Sequence, residues 1–465
     1  MSKNKNIFIP LESGSDPALK ITKPVWWSAV MMLILLIVAL PPVHAADPLW
    51  TYSSPGNSIG GVSVSSDGSA IAVGADKILL FSRSGILLAK EPFGELVMLT
   101  PDGMHLLSAY SSTLFFFERN AGTDKTNFSY KKKWDYTLPA SIHSIDISDN
   151  GNIIVASSEG SGTYIFSSLG KLTGSKEGYS ALVRIASNGG KILGVSTTGL
   201  YQYTRTGGAT RYKDISIGSE PDVMEITSTG ATVIFNNDQR VLAYNTGNGV
   251  QRWSSLATGD VTSLAMTPTG SKILVGTENG HVDLFDGQGN LAWSYSSNPE
   301  NKSGIMVDSV ALSNDGKIAV GGTYDGKIVA LNSAGREIWS GQVNDHIHYI
   351  AISADGSLVV ATGEETVYAF SPFATSSLVP RTTVTGTTAA ALKSVTAVPA
   401  STVTQNPVPE KTGTQNPEMI MSPTRTVTPL PTTYSVIRTA TPSAVPAIIP
   451  LSALLAALLL VLRRR

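Results

Sequence analysis

Five side chains able to hold a metal ion or a cationic group stand at one recurring position in this sequence. Glu95, His143, Asp222, Asp308 and His348 each lie eight residues before a turn glycine. Carboxylate oxygens and imidazole nitrogens are the donors that zinc, manganese or calcium accept. The remaining copies carry Gly60, Ala181 and Thr262 there. If these positions ring the mouth of a channel, Asp308 and His348 belong to neighbouring copies and are the pair within reach of one ion. Glu95, His143 and Asp222 would share the rim. A rim of solvated polar side chains accounts for the same residues without any ion, because a metal site also needs partners that orient its ligands.

A second set sits three residues further along. Asp146, Arg184 and Glu225 occupy one position in three successive copies, while most other copies carry Ala, Ser or Met. An arginine between two carboxylates is expected to form an ion triad between copies, with a structural role. No Ser-His-Asp arrangement stands out among the many serines. The chain has no cysteine, which excludes disulfides, thiolate zinc and iron–sulfur sites and thiol catalysis. A net charge of −1 argues against a dedicated nucleic-acid binder. No enzymatic activity is expected, and no cofactor beyond a divalent metal at the channel mouth.

The elements that must position these residues are repeats. Turn glycines recur at Gly68, Gly103, Gly151, Gly189, Gly230, Gly270, Gly316 and Gly356, a period of about 41 residues, that of a four-stranded propeller blade. Asp, Asn or Thr precedes each glycine, and Ser or Thr stands three before it in seven of the eight copies. These are turn formers, and glycine supplies the positive φ. Six residues before the glycines stand Val62, Val97, Ile145, Val183, Met224, Leu264, Val310 and Ile350. Four before them stand Val64, Leu99, Ile147, Ile185, Ile226, Met266, Leu312 and Ile352. All are apolar and two apart, so they share one face of an inner strand.

The last copy lacks a fourth strand, and the segment Pro48 to Ser54 reads as a fourth strand without its first three. Pairing the two closes the ring and removes an open sheet edge. The expectation is an all-β fold, an eight-bladed β-propeller over 46–374. Seven blades is the alternative, because the third and fourth copies have weak outer strands.

Three copies carry Gly-x-x-x-Trp after the third strand: Gly249 to Trp253, Gly289 to Trp293 and Gly335 to Trp339. This pattern resembles the repeat of quinoprotein-like propellers, a family of pyrroloquinoline quinone dehydrogenases and non-enzymatic relatives. The Ser-x-Asp-Gly turns resemble WD40-like repeats. The dehydrogenase resemblance would imply a quinone over the channel, an acidic metal ligand, a catalytic Asp and often a vicinal disulfide, which a cysteine-free chain cannot form. It also implies that the tryptophans pack between blades. Bulk leads to the same reading for Trp134, Trp253, Trp293 and Trp339.

The ends differ from the middle. Residues 1–45 hold an apolar run, Val25 to Leu40, after Lys20 and Lys23, and read as a signal peptide or N-terminal anchor. Over 375–446 the composition shifts to Thr, Ser and Pro with a single aromatic residue, Tyr434. Such a stretch is expected to be a disordered, O-glycosylated stalk. Residues 447–465 are apolar and end in Arg463, Arg464 and Arg465, and read as a hydrophobic helix, a membrane or sorting segment whose basic end is expected to stay cytoplasmic. With Val445, Pro446 and Pro450 this tail resembles archaeal C-terminal sorting signals of the VPxxxP type.

Glycosylation sequons at Asn127 and Asn301 fall in the two longest repeats. The expected object is a membrane-tethered propeller displayed at the cell surface. It would bind or scaffold an extracellular or envelope protein, or a glycan. A quinoprotein-like enzyme and a carbohydrate-binding adhesion module are the alternatives.

Overall fold

The computed structural model describes residues 47–120, 124–178, 181–212, 215, 217–299, 305–372 and 382–385. Both apolar ends, most of the Thr/Ser/Pro-rich segment and Asn301 lie outside them. Among the described residues no helix is long and apolar enough to cross a membrane.

Eight sheets follow one another along the chain, antiparallel throughout in blades 1 to 7. Numbered by their inner strands, blades 1 to 8 begin with Gly61–Val64, Leu96–Leu99, Ile142–Ile147, Leu182–Ile185, Met224–Ile226, Val261–Met266, Val307–Leu312 and Tyr349–Ile352. In blades 1 to 7 the order is the chain order from inner to outer strand, as successive hairpins dictate. All sixteen apolar residues of the two sequence columns are buried or half-buried. The weak outer strands of blades 3 and 4 are present but short, Leu172–Lys176 and Ala209–Arg211. Blade 1 departs from the pattern of separate strands: Ala70–Ser82 is one continuous run that pairs with Gly61–Val64 and with Leu87–Gly94.

Closure follows the expected route. Trp50–Ser53 pairs antiparallel with Thr366–Phe370, Trp50 opposite Ala369 and Ser53 opposite Thr366. Trp50 and Tyr52 bury their rings in the layer between blades 8 and 1, beside Phe81, Val73 and Val360. Beyond Trp50–Ser53 lies a fifth strand, Thr382–Thr385, in parallel register. It comes from the segment read as a stalk, and the unpaired backbone groups of an outermost strand are what it meets.

The core lies in layers between neighbouring sheets rather than at one centre. One layer joins Ile318, Val320, Ala330 and Trp339 of blade 7 to Ile350, Val359, Ala361 and Phe370 of blade 8. The tryptophans span such layers. Trp134 stacks on Phe116 of its own blade and Phe166 of the next, and its indole N–H donates to Ser168 O at 2.8 Å. Trp50, Trp253 and Trp293 donate in the same way to Arg83, Gly287 and Ser333.

This explains the Gly-x-x-x-Trp pattern. Each glycine lies against the ring of the preceding blade: a Cβ on Gly289 would meet Trp253 at 2.6 Å, and one on Gly335 would meet Trp293 at 2.7 Å. Among the described residues no such turn receives Trp339, and the outer strand of blade 8 comes from the other end of the domain. Its buried indole nitrogen has no hydrogen-bond partner among them.

The inner ends of the blades are tied by a second ring. The residue two before each turn glycine donates its amide to the carbonyl of its counterpart in the next blade. The links run Ser66 to Pro101, Asp149 to Ser187, Ser187 to Ser228, Ser228 to Pro268, Asn314 to Ala354 and Ala354 to Ser66, at 2.8–3.0 Å. The series is interrupted after Pro101 and Pro268, which accept but have no N–H to give.

Candidate functional site

Inner strands, second-to-third-strand turns and blade-to-blade connections all open on one mouth of the channel. The turn glycines lie at the other. Of the five predicted ligands, one pair is brought together. Asp308 is the second residue of the inner strand of blade 7 and His348 immediately precedes that of blade 8, with Asp308 Oδ2 3.4 Å from His348 Nδ1. The pairing is built by neighbouring strands: Ile350 N–H donates to Ser309 Oγ at 2.9 Å across the blades, and His348 N–H to Thr362 O at 2.9 Å within blade 8. Burial raises the Asp308 carboxyl, opposed by the His348 imidazole beside it.

The other three lie apart. Asp222 is tied to its own blade, accepting from Asn236 Nδ2 at 3.0 Å. His143 and Glu95 are exposed on the rim. Glu95 and Asp308 lend their negative charge to Tyr349, whose phenol is raised mainly by burial. Among the described residues no group of three metal-ligating side chains includes Glu95, His143 or Asp222.

The residues that do gather around His348 lie outside the repeat column. His346 stands in the connection leading into blade 8 and Glu364 in its second-to-third-strand turn. One ligand atom from each of His346, His348 and Glu364 lies within 4.8 Å of the others, and His346 Nδ1 is 3.8 Å from Glu364 Oε1. Tyr324, from the corresponding turn of blade 7, stacks on His346 with ring centroids 3.9 Å apart. The amide of Glu364 donates to Asp345 Oδ1 at 3.3 Å. A cavity of about 410 Å³ adjoins, lined by Asp325, Gln342, Val343, Asn344, Asp345 and His346. The His346-x-His348 spacing, two of six histidines in the chain, was the signal that could have found this cluster. A search along one repeat column passes over it.

The triad position is a fastening in the channel wall. Asp146 accepts Ile185 N–H of blade 4 at 2.6 Å and its neighbour Ile147 N–H at 2.7 Å. Arg184 pairs with Glu225 of blade 5, Nε to Oε1 3.5 Å. Burial pushes Asp146 up to about 7, against the nearby Arg184 charge and the two amides. Burial raises Glu225 as well, again opposed by Arg184. Elsewhere serine takes the role: Ser63 and Ser263 accept the amides of Leu99 and Val310 in the next blade.

Comparison with known proteins places this geometry in context. A family model of quinone-type repeats, described as outer membrane protein assembly factor BamB, matches residues 149–371 and 278–398, together more than half of the chain. No curated protein matches in sequence. Among solved structures, Sqt1 of Chaetomium thermophilum bound to the N-terminus of ribosomal protein L10 is 14% identical. It aligns over 70% of this chain and 99% of its own, with a TM-score of 0.60. The C-terminal WD40 domain of Sif2 is 14% identical over 71% and 99%, TM-score 0.58. The designed protein Ika8 is 14% identical over 70% and 100%, TM-score 0.56. At such identities the likeness is one of fold.

Proposed function

The chain belongs to the repeat family described as outer membrane protein assembly factor BamB, and on that premise we propose that it is a protein-binding scaffold held at the cell surface. Its contact face is the strand-start mouth. The observation that carries this reading is the set of exposed tyrosines there. Tyr110, Tyr324 and Tyr349 are each about 40% exposed, and exposed Glu95, His143 and Asp222 stand among them. Aromatic anchors with a polar rim are the composition of a protein-recognition patch. At the opposite mouth, the third-to-fourth-strand turns of blades 1, 3, 6 and 7 are taken up by the tryptophans of their neighbours.

Sqt1, of similar fold, is described bound to a segment of another protein, which supports a protein partner. A quinoprotein-like enzyme and a carbohydrate-binding module are the alternative readings, since one fold hosts many activities. Display outside the cell is supported by the two apolar ends and the Thr/Ser/Pro-rich segment. Asn127 is exposed in a loop at the mouth opposite the tyrosines, so a glycan there would leave the contact face open.

A photo-crosslinking residue at Tyr324, compared in intact cells with one at Leu169 on the opposite side, tests the reading. A discrete adduct is expected from position 324 and none from 169. Adducts from both positions alike, or from 169 alone, would remove the mouth as the contact face.

A further inference from the structure

We propose that His346, His348 and Glu364 form a binding site for a divalent transition-metal ion, with Asp308 as the residue that orients His348. The site is a property of this chain's own residues and stands whether or not the mouth binds a protein.

Three observations lead there. The first is convergence. The ligand atoms lie within 4.8 Å of one another, whereas donors around a tetrahedral ion with bonds of about 2.1 Å are roughly 3.4 Å apart. The remaining distance is covered by rotation of Glu364, whose side chain is 67% exposed and has staggered alternatives open to it.

The second is support. Both imidazoles are held from behind, His346 by the stacked ring of Tyr324 and His348 by Asp308 at 3.4 Å. A carboxylate on one ring nitrogen settles the tautomer and leaves the other nitrogen to the metal, the arrangement that accompanies most histidine ligands.

The third is donor chemistry. Two imidazoles and one carboxylate suit zinc and its first-row neighbours. Calcium and magnesium take all-oxygen sets. Three protein ligands on one side leave the solvent side of the ion to water or to a donor from a partner.

The backbone explains why these residues meet. His346 and His348 alternate about Ile347, which is fully buried and anchors the segment in the layer between blades 7 and 8. The amide of Ile347 reaches Thr323 O at 3.3 Å and that of His348 reaches Thr362 O at 2.9 Å. The two imidazoles are therefore carried by a segment fastened to the second strands of both blades, and Glu364 follows the second of these strands by two residues.

The test is calorimetric titration of the full-length protein, purified in detergent without a histidine tag, with zinc chloride and separately with calcium chloride. One zinc per chain is expected, undisturbed by millimolar calcium. His346→Ala with His348→Ala should weaken zinc by at least about a hundredfold. Glu364→Gln, at an exposed position that leaves folding alone, should weaken it about tenfold or more. Asp308→Asn should weaken it about 10- to 100-fold with the stoichiometry kept at one, and Asp308→Glu should restore part of the loss, which a purely structural role would not predict. A cooperative melting transition in EDTA should show every variant folded. Zinc held equally by the double variant, by Glu364→Gln or by Asp308→Asn, or no stoichiometric zinc on the parent protein, would overturn the proposal.

Discussion

The amide of Ala354 in blade 8 donates to the carbonyl of Ser66 in blade 1 at 2.8 Å. This bond joins the last blade to the first with the same contact that joins most consecutive blades, so the seam of the ring resembles its interior. The outer edge of that seam depends on another pairing, Trp50–Ser53 on blade 8.

Deleting Asp47 to Pro55 should therefore expose the third strand of blade 8 and remove two rings that are 3% and 1% exposed, Trp50 and Tyr52. Loss of either ring alone costs about 3–5 kcal/mol. Urea unfolding should show the Trp50→Ala variant destabilised by that amount, and the deletion should aggregate on heating. A deletion protein with an unchanged transition would contradict closure by the N-terminal strand.

The Gly-x-x-x-Trp contact can be isolated by two substitutions with the same backbone requirement. Gly335 has φ +74° and no space before Trp293, whereas Gly56 has φ +78° with nothing within 4 Å of an added Cβ. Gly56→Ala should cost about 1 kcal/mol for the left-handed conformation. Gly335→Ala should cost more, about 2–3 kcal/mol, since the ring must also move. Equal losses for the two variants would mean that conformation, not the indole, demands the glycine.

Asp146 should shape the acid side of the stability curve. Burial lifts its carboxyl from the ordinary carboxylate value of 3.8 to about 7 in the folded protein, so folding favours the protonated form. That contribution is complete below about pH 4 and is lost as pH rises through 7. Three pKa units correspond to at most about 4 kcal/mol. Asp146→Asn does not titrate, so chemical unfolding from pH 4 to 8 should show the parent losing stability relative to the variant. Glu225, Asp308 and Glu91 are shifted in the same direction and contribute to the slope that persists in the variant. Parallel curves for the two proteins would sink this account.

The surface assignment is tested with protease on intact cells. Cleavage within the Thr/Ser/Pro-rich segment should release a folded fragment of propeller size, since exposed polar chain is cut before packed blades. A propeller that stays intact and cell-bound until lysis would place it on the other side of the membrane.

Much of the fold was legible because each blade repeats its own local rules. The apolar columns, two residues apart, determine which face of an inner strand is buried, and turn glycines with Asp, Asn or Thr before them determine where the chain reverses. The closing strand was legible because Pro48 to Ser54 repeats a fourth-strand pattern without its first three. The continuous run Ala70–Ser82 and the fifth strand Thr382–Thr385 were not, since neither follows the repeat. At the mouth, the column of Glu95, His143, Asp222, Asp308 and His348 contains one neighbouring pair, Asp308 and His348, and groups it with three residues that do not join it.

By itself the sequence determined the period, the strand register and the need for a second segment to complete blade 8. These depend on neighbours a few residues apart or on a pattern repeated eight times, and averaging over copies strengthens them. Tertiary structure alone decided that His346 and Glu364, both outside the repeat column, meet His348 while Glu95 does not. Blades around a ring hold equivalent positions apart, whereas the connection into a blade and the turn between its second and third strands meet at the mouth. That meeting depends on how Ile347 seats between blades 7 and 8 and on the ring of Tyr324 from the adjoining blade, contacts that no repeat encodes.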